Sequence, residues 1–95
     1  MTPEAKVTQY LIRRVKAIGG ETRKVSWEGR IGAPDRLVLL KGKAAWFELK
    51  ALYGRANRHQ LMEIKRLRES GQRVYLCFGE NEVEDALSDL TRGLI

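Results

Sequence analysis

Sulfur and imidazole are nearly missing from this sequence: Cys77 is the sole cysteine and His59 the sole histidine among 95 residues. One cysteine rules out an intrachain disulfide and a thiolate metal cluster, and one imidazole cannot build a histidine-rich zinc site. A metal would have to be held by oxygen ligands, which favours Mg²⁺ or Mn²⁺. No apolar run approaches the ~20 residues of a membrane span. Met1-Thr2-Pro3-Glu4 lacks the basic-then-apolar pattern of a secretory signal, so the expected location is cytoplasmic, inside the cell. Repeats, low-complexity stretches and a dividing linker are also missing. Residues 1–95 are therefore expected to fold as one small domain around one modest core.

What is abundant is positive charge. Eighteen Lys and Arg stand against twelve Asp and Glu, a formal charge of +6. A basic balance raises the prior for a polyanionic partner, because each neutralised phosphate releases counterions. It becomes informative only beside a chemical site.

Periodicity and punctuation divide the chain into elements. Thr2 as N-cap, Pro3 at the first helical position and Glu4 in the positive first turn predict a helix start. Val7, Tyr10, Leu11, Val15 and Ile18 follow at helical spacing, Arg13 and Lys16 lie opposite, and Gly19-Gly20 stops the run. Val25-Ser26-Trp27 reads as a short strand. After the turn-rich Gly29–Pro34 come strand-like runs over 36–40 and 44–49, joined at Lys41-Gly42-Lys43 as a hairpin. Its middle is apolar on both faces, which predicts a sheet covered on both sides. Tyr53 to Arg58 is a basic loop. Asn57 then caps a second helix, with Gln60 in capping-box position and Leu61, Ile64 and Leu67 as its stripe. Gly71 ends that helix and Val74–Phe78 is a buried strand, in which Cys77 reads as a small core residue. A last helix opens at Asn81 with Glu84 as its box partner, buries Val83, Ala86, Leu87 and Leu90, and stops at Gly93. The expected fold is α/β: a small mixed central sheet flanked by helices, in α-β-β-β-α-β-α order. The strand after the second helix should run parallel to the hairpin's second strand.

Gly32-Ala33-Pro34-Asp35 and Glu48-Leu49-Lys50 carry the chemistry. With a two-residue turn at Gly42-Lys43, Lys50 faces Asp35 and Glu48 faces Leu37. Opposed residues, and residues two apart along a strand, share a sheet face. Asp35, Glu48 and Lys50 then project to one side, ~5–8 Å apart at Cβ. Two carboxylates beside a cation suit a divalent-metal site that grips a phosphate and activates water. The Leu49 backbone carbonyl offers a further oxygen ligand. Lys50, kept charged by its acidic neighbours, would position water and stabilise developing charge. An ordinary ion pair is the competing reading. It is weakened because Glu48 sits inside an apolar strand, where an acid is costly unless paired or metal-bound.

Gly32-x-Pro34-Asp35, then Glu48-x-Lys50 on a strand, then Gln60 on the next helix, resembles the PD-(D/E)xK nuclease superfamily, and within it the virus-type replication-repair nuclease branch, VRR-NUC. The resemblance spans the chain from Glu4 to the last helix and implies a restriction-endonuclease-like core. It further implies Mg²⁺- or Mn²⁺-dependent phosphodiester hydrolysis, with Asp35 and Glu48 as metal ligands and Lys50 as catalytic. Small members of this kind are similar to Holliday-junction resolvases and are expected to act as homodimers on branched DNA.

Two outer positions follow from the resemblance. Glu4 matches a first-helix glutamate near the metal, directly or through water, and is expected on the inward stripe with Val7 and Leu11. Gln60 is expected to point inward as an active-site residue as well as a cap partner. Arg55, Arg58 and Lys65, with Tyr53, are expected to contact DNA, whereas Trp27 and Trp46 read as core or dimer residues. Two alternatives remain open at this level: a non-catalytic basic nucleic-acid-binding module, or a subunit of a larger nuclease complex.

Overall fold

The computed structural model describes residues 1–92. The first helix, α1 (Pro3–Ala17), starts as its sequence requires: Thr2 Oγ1 accepts from Ala5 N at 3.1 Å, and Pro3 occupies the first turn, where no amide partner is missed. Its Val7, Leu11 and Val15 are buried. Gly19 and Gly20 then redirect the chain into an edge strand, β1 (Glu21–Lys24). The strand expected at Val25–Trp27 is thus displaced by four residues. β1 is polar and largely exposed, so it carries no apolar alternation to betray it.

β2 (Arg36–Leu40) and β3 (Lys43–Lys50) form the hairpin, and its register differs from the expected one. Leu40 pairs with Lys43 and Arg36 with Phe47, so the turn is Lys41-Gly42. Both residues have positive φ, 49° at Lys41 and 83° at Gly42, the type I′ signature whose twist matches the flanking strands. The correction is a slip of two residues, which leaves every side chain on its expected face.

α2 (Arg58–Glu69) crosses over to β4 (Val74–Phe78), which pairs parallel to β3, giving a four-stranded sheet ordered β1-β2-β3-β4. α3 (Gly79–Thr91) closes the domain. It begins two residues before the expected Asn81 cap. Phe78 N donates to Glu82 Oε1 at 3.0 Å, so the helix is capped from within. Glu84 is not a box partner; it bonds Arg14 and Tyr10 of α1 instead. The expected stop at Gly93 lies outside the described residues.

One sheet face, carrying Val38, Leu40, Ala45, Phe47, Leu49 and Cys77, packs against α1 and against Val83, Ala86, Leu87 and Leu90 of α3. Cys77 is a core residue, its thiol pushed up to about 12 by burial. The opposite face holds Trp46, stacked at 4.9 Å on Trp27 with the rings tilted by 49°, and is covered by α2. On α2 the buried residues are Glu63 and Ile64, while Leu61 is 50% exposed, so the expected stripe is rotated. Buried Glu63 is met by Arg30 at 3.5 Å and by Arg66 at 3.9 Å. No helix among the described residues is long and apolar enough to cross a membrane.

Candidate active site

The Gly32–Asp35 approach is pinned at three points. Trp27 Nε1 donates to the Pro34 carbonyl at 2.7 Å. Val25 N donates to the Asp35 carbonyl at 2.8 Å, extending the β1–β2 pairing by one bond. Gly32, at φ 86°, presses on the start of α2: a Cβ there would lie 2.6 Å from His59 C and 2.7 Å from Gln60 N. Only glycine meets both conditions. The loop that presents Asp35 and the helix that presents Gln60 are therefore seated on each other.

Continuing the observed register one step beyond Arg36↔Phe47 puts Asp35 across from Glu48. Lys50 follows two residues along β3 on the same face. These three side chains border one polar cavity of about 490 Å³, together with Glu4, Leu49 and Gln60. Asp35 stands exposed at its mouth. Glu48 lies deeper, with its side chain only 10% exposed. Lys50 Nζ is 3.7 Å from Glu48 Oε2 and equally 3.7 Å from Glu4 Oε1. Gln60 Nε2 donates to Glu48 Oε2 at 3.3 Å. Leu49 buries its side chain in the core on the other face, which leaves its backbone to border the cavity.

Glu48 carries the electrostatic signature of the site. Burial raises its pKa from 4.5 to about 7; Lys50 opposes the rise, and the charges of Asp35 and Glu4 add to it. A desolvated carboxylate stands across from a second one, and the ammonium beside it is shared with Glu4, which leaves carboxylate oxygens free to take a cation. That donor set suits a hard, oxygen-seeking cation. Among the described residues no three Asp, Glu, His or Cys side chains stand close enough to cage a metal by themselves. An ion would rest on Asp35 and Glu48, completed by backbone and water oxygens.

One expectation changes. Glu4 does not lie on the inward stripe: its side chain is 54% exposed, and it reaches the cavity from the rim, as a partner of Lys50. Arg55, Arg58, Tyr53 and Lys65 are exposed outside the cavity, Tyr53 at 94%. The cavity wall itself holds Lys24 and Arg36. The sequence signal for Arg36 is its place directly after Asp35; Lys24 is marked only as one basic residue among several, because β1 has no apolar alternation to show which way it faces.

No family model matches the sequence. Protein p44 of Acyrthosiphon pisum secondary endosymbiont phage 1, named "Putative nuclease p44", is 39% identical over 72 residues, which is 75% of this chain and 77% of the relative. A solved structure described as a VRR-NUC domain matches 93% of this chain and 97% of its own, at 37% identity and a TM-score of 0.84. Its mixed sheet, flanking helices and element order are those described above. Agreement in both sequence and fold across nearly the whole domain makes this chain a member of the VRR-NUC family.

Proposed function

We propose that the protein is a divalent-metal-dependent endonuclease that hydrolyses phosphodiester bonds in DNA. The observation that carries this reading is the convergence of Asp35, buried Glu48 and Lys50 on one polar cavity. Membership in a family of nuclease fold, and a relative named as a nuclease, support it.

Asp35 and Glu48, with the Leu49 carbonyl, would hold Mg²⁺ or Mn²⁺, which when bound neutralises phosphate charge and acidifies a coordinated water. In hydrolysis a water oxygen bonds to phosphorus and gives up a proton to solvent, while the P–O bond to one sugar oxygen breaks and that oxygen takes a proton from solvent. Lys50 orients that water and stabilises charge developing on the phosphoryl oxygens. Glu4 holds the ammonium from the rim, and Gln60 fixes the Glu48 carboxylate. Arg55, Arg58 and Lys65, with Tyr53 on the adjoining loop, extend a basic surface along which duplex phosphates can lie.

The substrate reading is branched or otherwise structured DNA, cut by a homodimer. One chain has one such site, and paired nicks across a junction need two, which a two-fold dimer would present.

The test is a cleavage panel of Holliday junction, fork, flap, duplex and single strand with Mg²⁺ and with Mn²⁺, run beside Asp35→Ala and Glu48→Ala. Cleavage by the parent, at least a hundredfold weaker in both variants, is expected. Undiminished cutting by either variant would sink the assignment. Sedimentation of the active species tests the dimer.

A further inference from the structure

Lys24 and Arg36 are cross-strand partners on β1 and β2, so their side chains leave the sheet on the same face. Both border the cavity that holds Asp35 and Glu48. Neither forms an ion pair among the described residues, although Arg14, Arg23, Arg30, Arg66 and Lys50 all do. Arg36 Nε is buried without a hydrogen-bond partner, alone among the buried side-chain nitrogens and oxygens of the described residues.

Each of these features costs free energy. Like charges directly opposed on a sheet repel, and a buried donor without an acceptor carries its full desolvation penalty. A single anion between the two side chains would relieve both. Among the described residues no carboxylate pairs with either: Glu48 and Glu4 meet Lys50, and Asp35, consecutive with Arg36, leaves the sheet on the opposite face. The anion must come from outside and pass the same strand ends as the bond being cut.

We infer that Lys24 and Arg36 form a second phosphate subsite, which takes a backbone phosphate neighbouring the scissile one on the same nucleic-acid strand. The identity of the anion rests on the nuclease reading. Arg36, with planar paired donors, grips the phosphate oxygens; Lys24 adds a point charge from the edge strand. Asp35 and Arg36 are consecutive, so the subsite is held at a fixed offset from the acidic cluster and sets where along the strand the cut falls.

Binding decides this without cleavage. In the Glu48→Ala background, the affinity for a junction or duplex oligonucleotide is measured in EDTA across a salt series, with and without Lys24→Gln plus Arg36→Gln. The added pair is expected to weaken binding roughly tenfold and to lower the salt slope by about 0.9, the value for one phosphate. Arg36→Lys should restore part of the slope, and thermal melts check that each variant is folded. A neutral methylphosphonate placed at successive positions should reproduce the loss at one position, and add nothing there once the pair is replaced. Unchanged affinity and slope in the folded variants overturn the subsite, as does a parent that binds no DNA. A lowered slope in a protein that cuts nothing keeps the subsite and removes the nuclease reading.

Discussion

The Gln60 carboxamide is divided between two partners: its Oε1 accepts from Asn57 N at 2.9 Å, and its Nε2 donates to Glu48 Oε2 at 3.3 Å. The first bond belongs to the capping box, completed by Asn57 Oδ1 accepting from Gln60 N. The second orients the buried acid. One side chain thus couples the start of α2 to the candidate metal ligand, and structure and chemistry in it can be separated by substitution.

Gln60→Ala removes both bonds. Loss of the box should cost about 1 kcal/mol of stability, and loss of the support to Glu48 about 10–100-fold in activity. Gln60→Glu keeps an acceptor for Asn57 N but sets a second carboxylate against Glu48. Denaturation midpoints should stay near wild type while cleavage at neutral pH still falls. If the two variants lose stability and activity in proportion, Gln60 is only a cap.

Gly32→Ala should be far worse than Gly29→Ala. Both glycines have positive φ, 86° and 73°, but a Cβ at Gly29 meets nothing within 4 Å, whereas at Gly32 it strikes the backbone of His59 and Gln60. Gly29→Ala therefore reports backbone strain alone, about 1 kcal/mol. Gly32→Ala adds an overlap that only separation of the loop from α2 can relieve, for a total of at least about 2 kcal/mol. Cleavage below the variant's melting temperature should remain depressed, because Asp35 moves with the loop. Equal melting temperatures for the two variants would contradict this.

Glu48 links stability to pH with a sign opposite to that of a salt-bridged acid. Its pKa is about 7 when folded and 4.5 as a free side chain, so the folded protein retains a proton that the unfolded chain gives up across that window. Stability of the metal-free protein therefore falls as pH rises from 4.5 to about 7, by at most about 3 kcal/mol. Glu48→Gln should melt higher than wild type at pH 8 in EDTA and close to it at pH 5. Added Mg²⁺ or Mn²⁺ should raise the wild-type melting temperature and leave the variant's unmoved, through preferential binding to the folded state.

Glu84 behaves the conventional way. The Arg14 hydrogen bond lowers its pKa, against the opposing effect of burial and with help from Tyr10. Its contribution is present above the ordinary carboxylate value of 4.5 and is lost as pH falls through the lower folded value. Glu84→Gln should melt below wild type at pH 7, with the gap closing in acid. Both partners are more than a third exposed, so added salt should narrow the gap as well.

The order and type of the elements were legible from sequence, because caps, glycine stops and apolar spacing act over windows of a few residues. Thr2, Asn57 and Gln60 cap where their chemistry says they should. The strand that escaped, Glu21–Lys24, is an exposed edge whose residues have no buried face to mark it. Two further departures go with contacts that no local pattern marks: Glu82 accepts from Phe78 N ahead of the Asn81 box, and Glu63 is buried beside Arg30 and Arg66.

By itself, the sequence determined that Asp35, Glu48 and Lys50 share a side, since alternation along a strand survives any even slip of register. Tertiary structure alone decided that the Lys41-Gly42 turn sets Asp35 across from Glu48, that Glu4 serves Lys50 from the rim, and that Lys24 and Arg36 reach the same cavity. Those relations join side chains a dozen or more residues apart. They depend on how helices and strands dock, which no local window of sequence encodes.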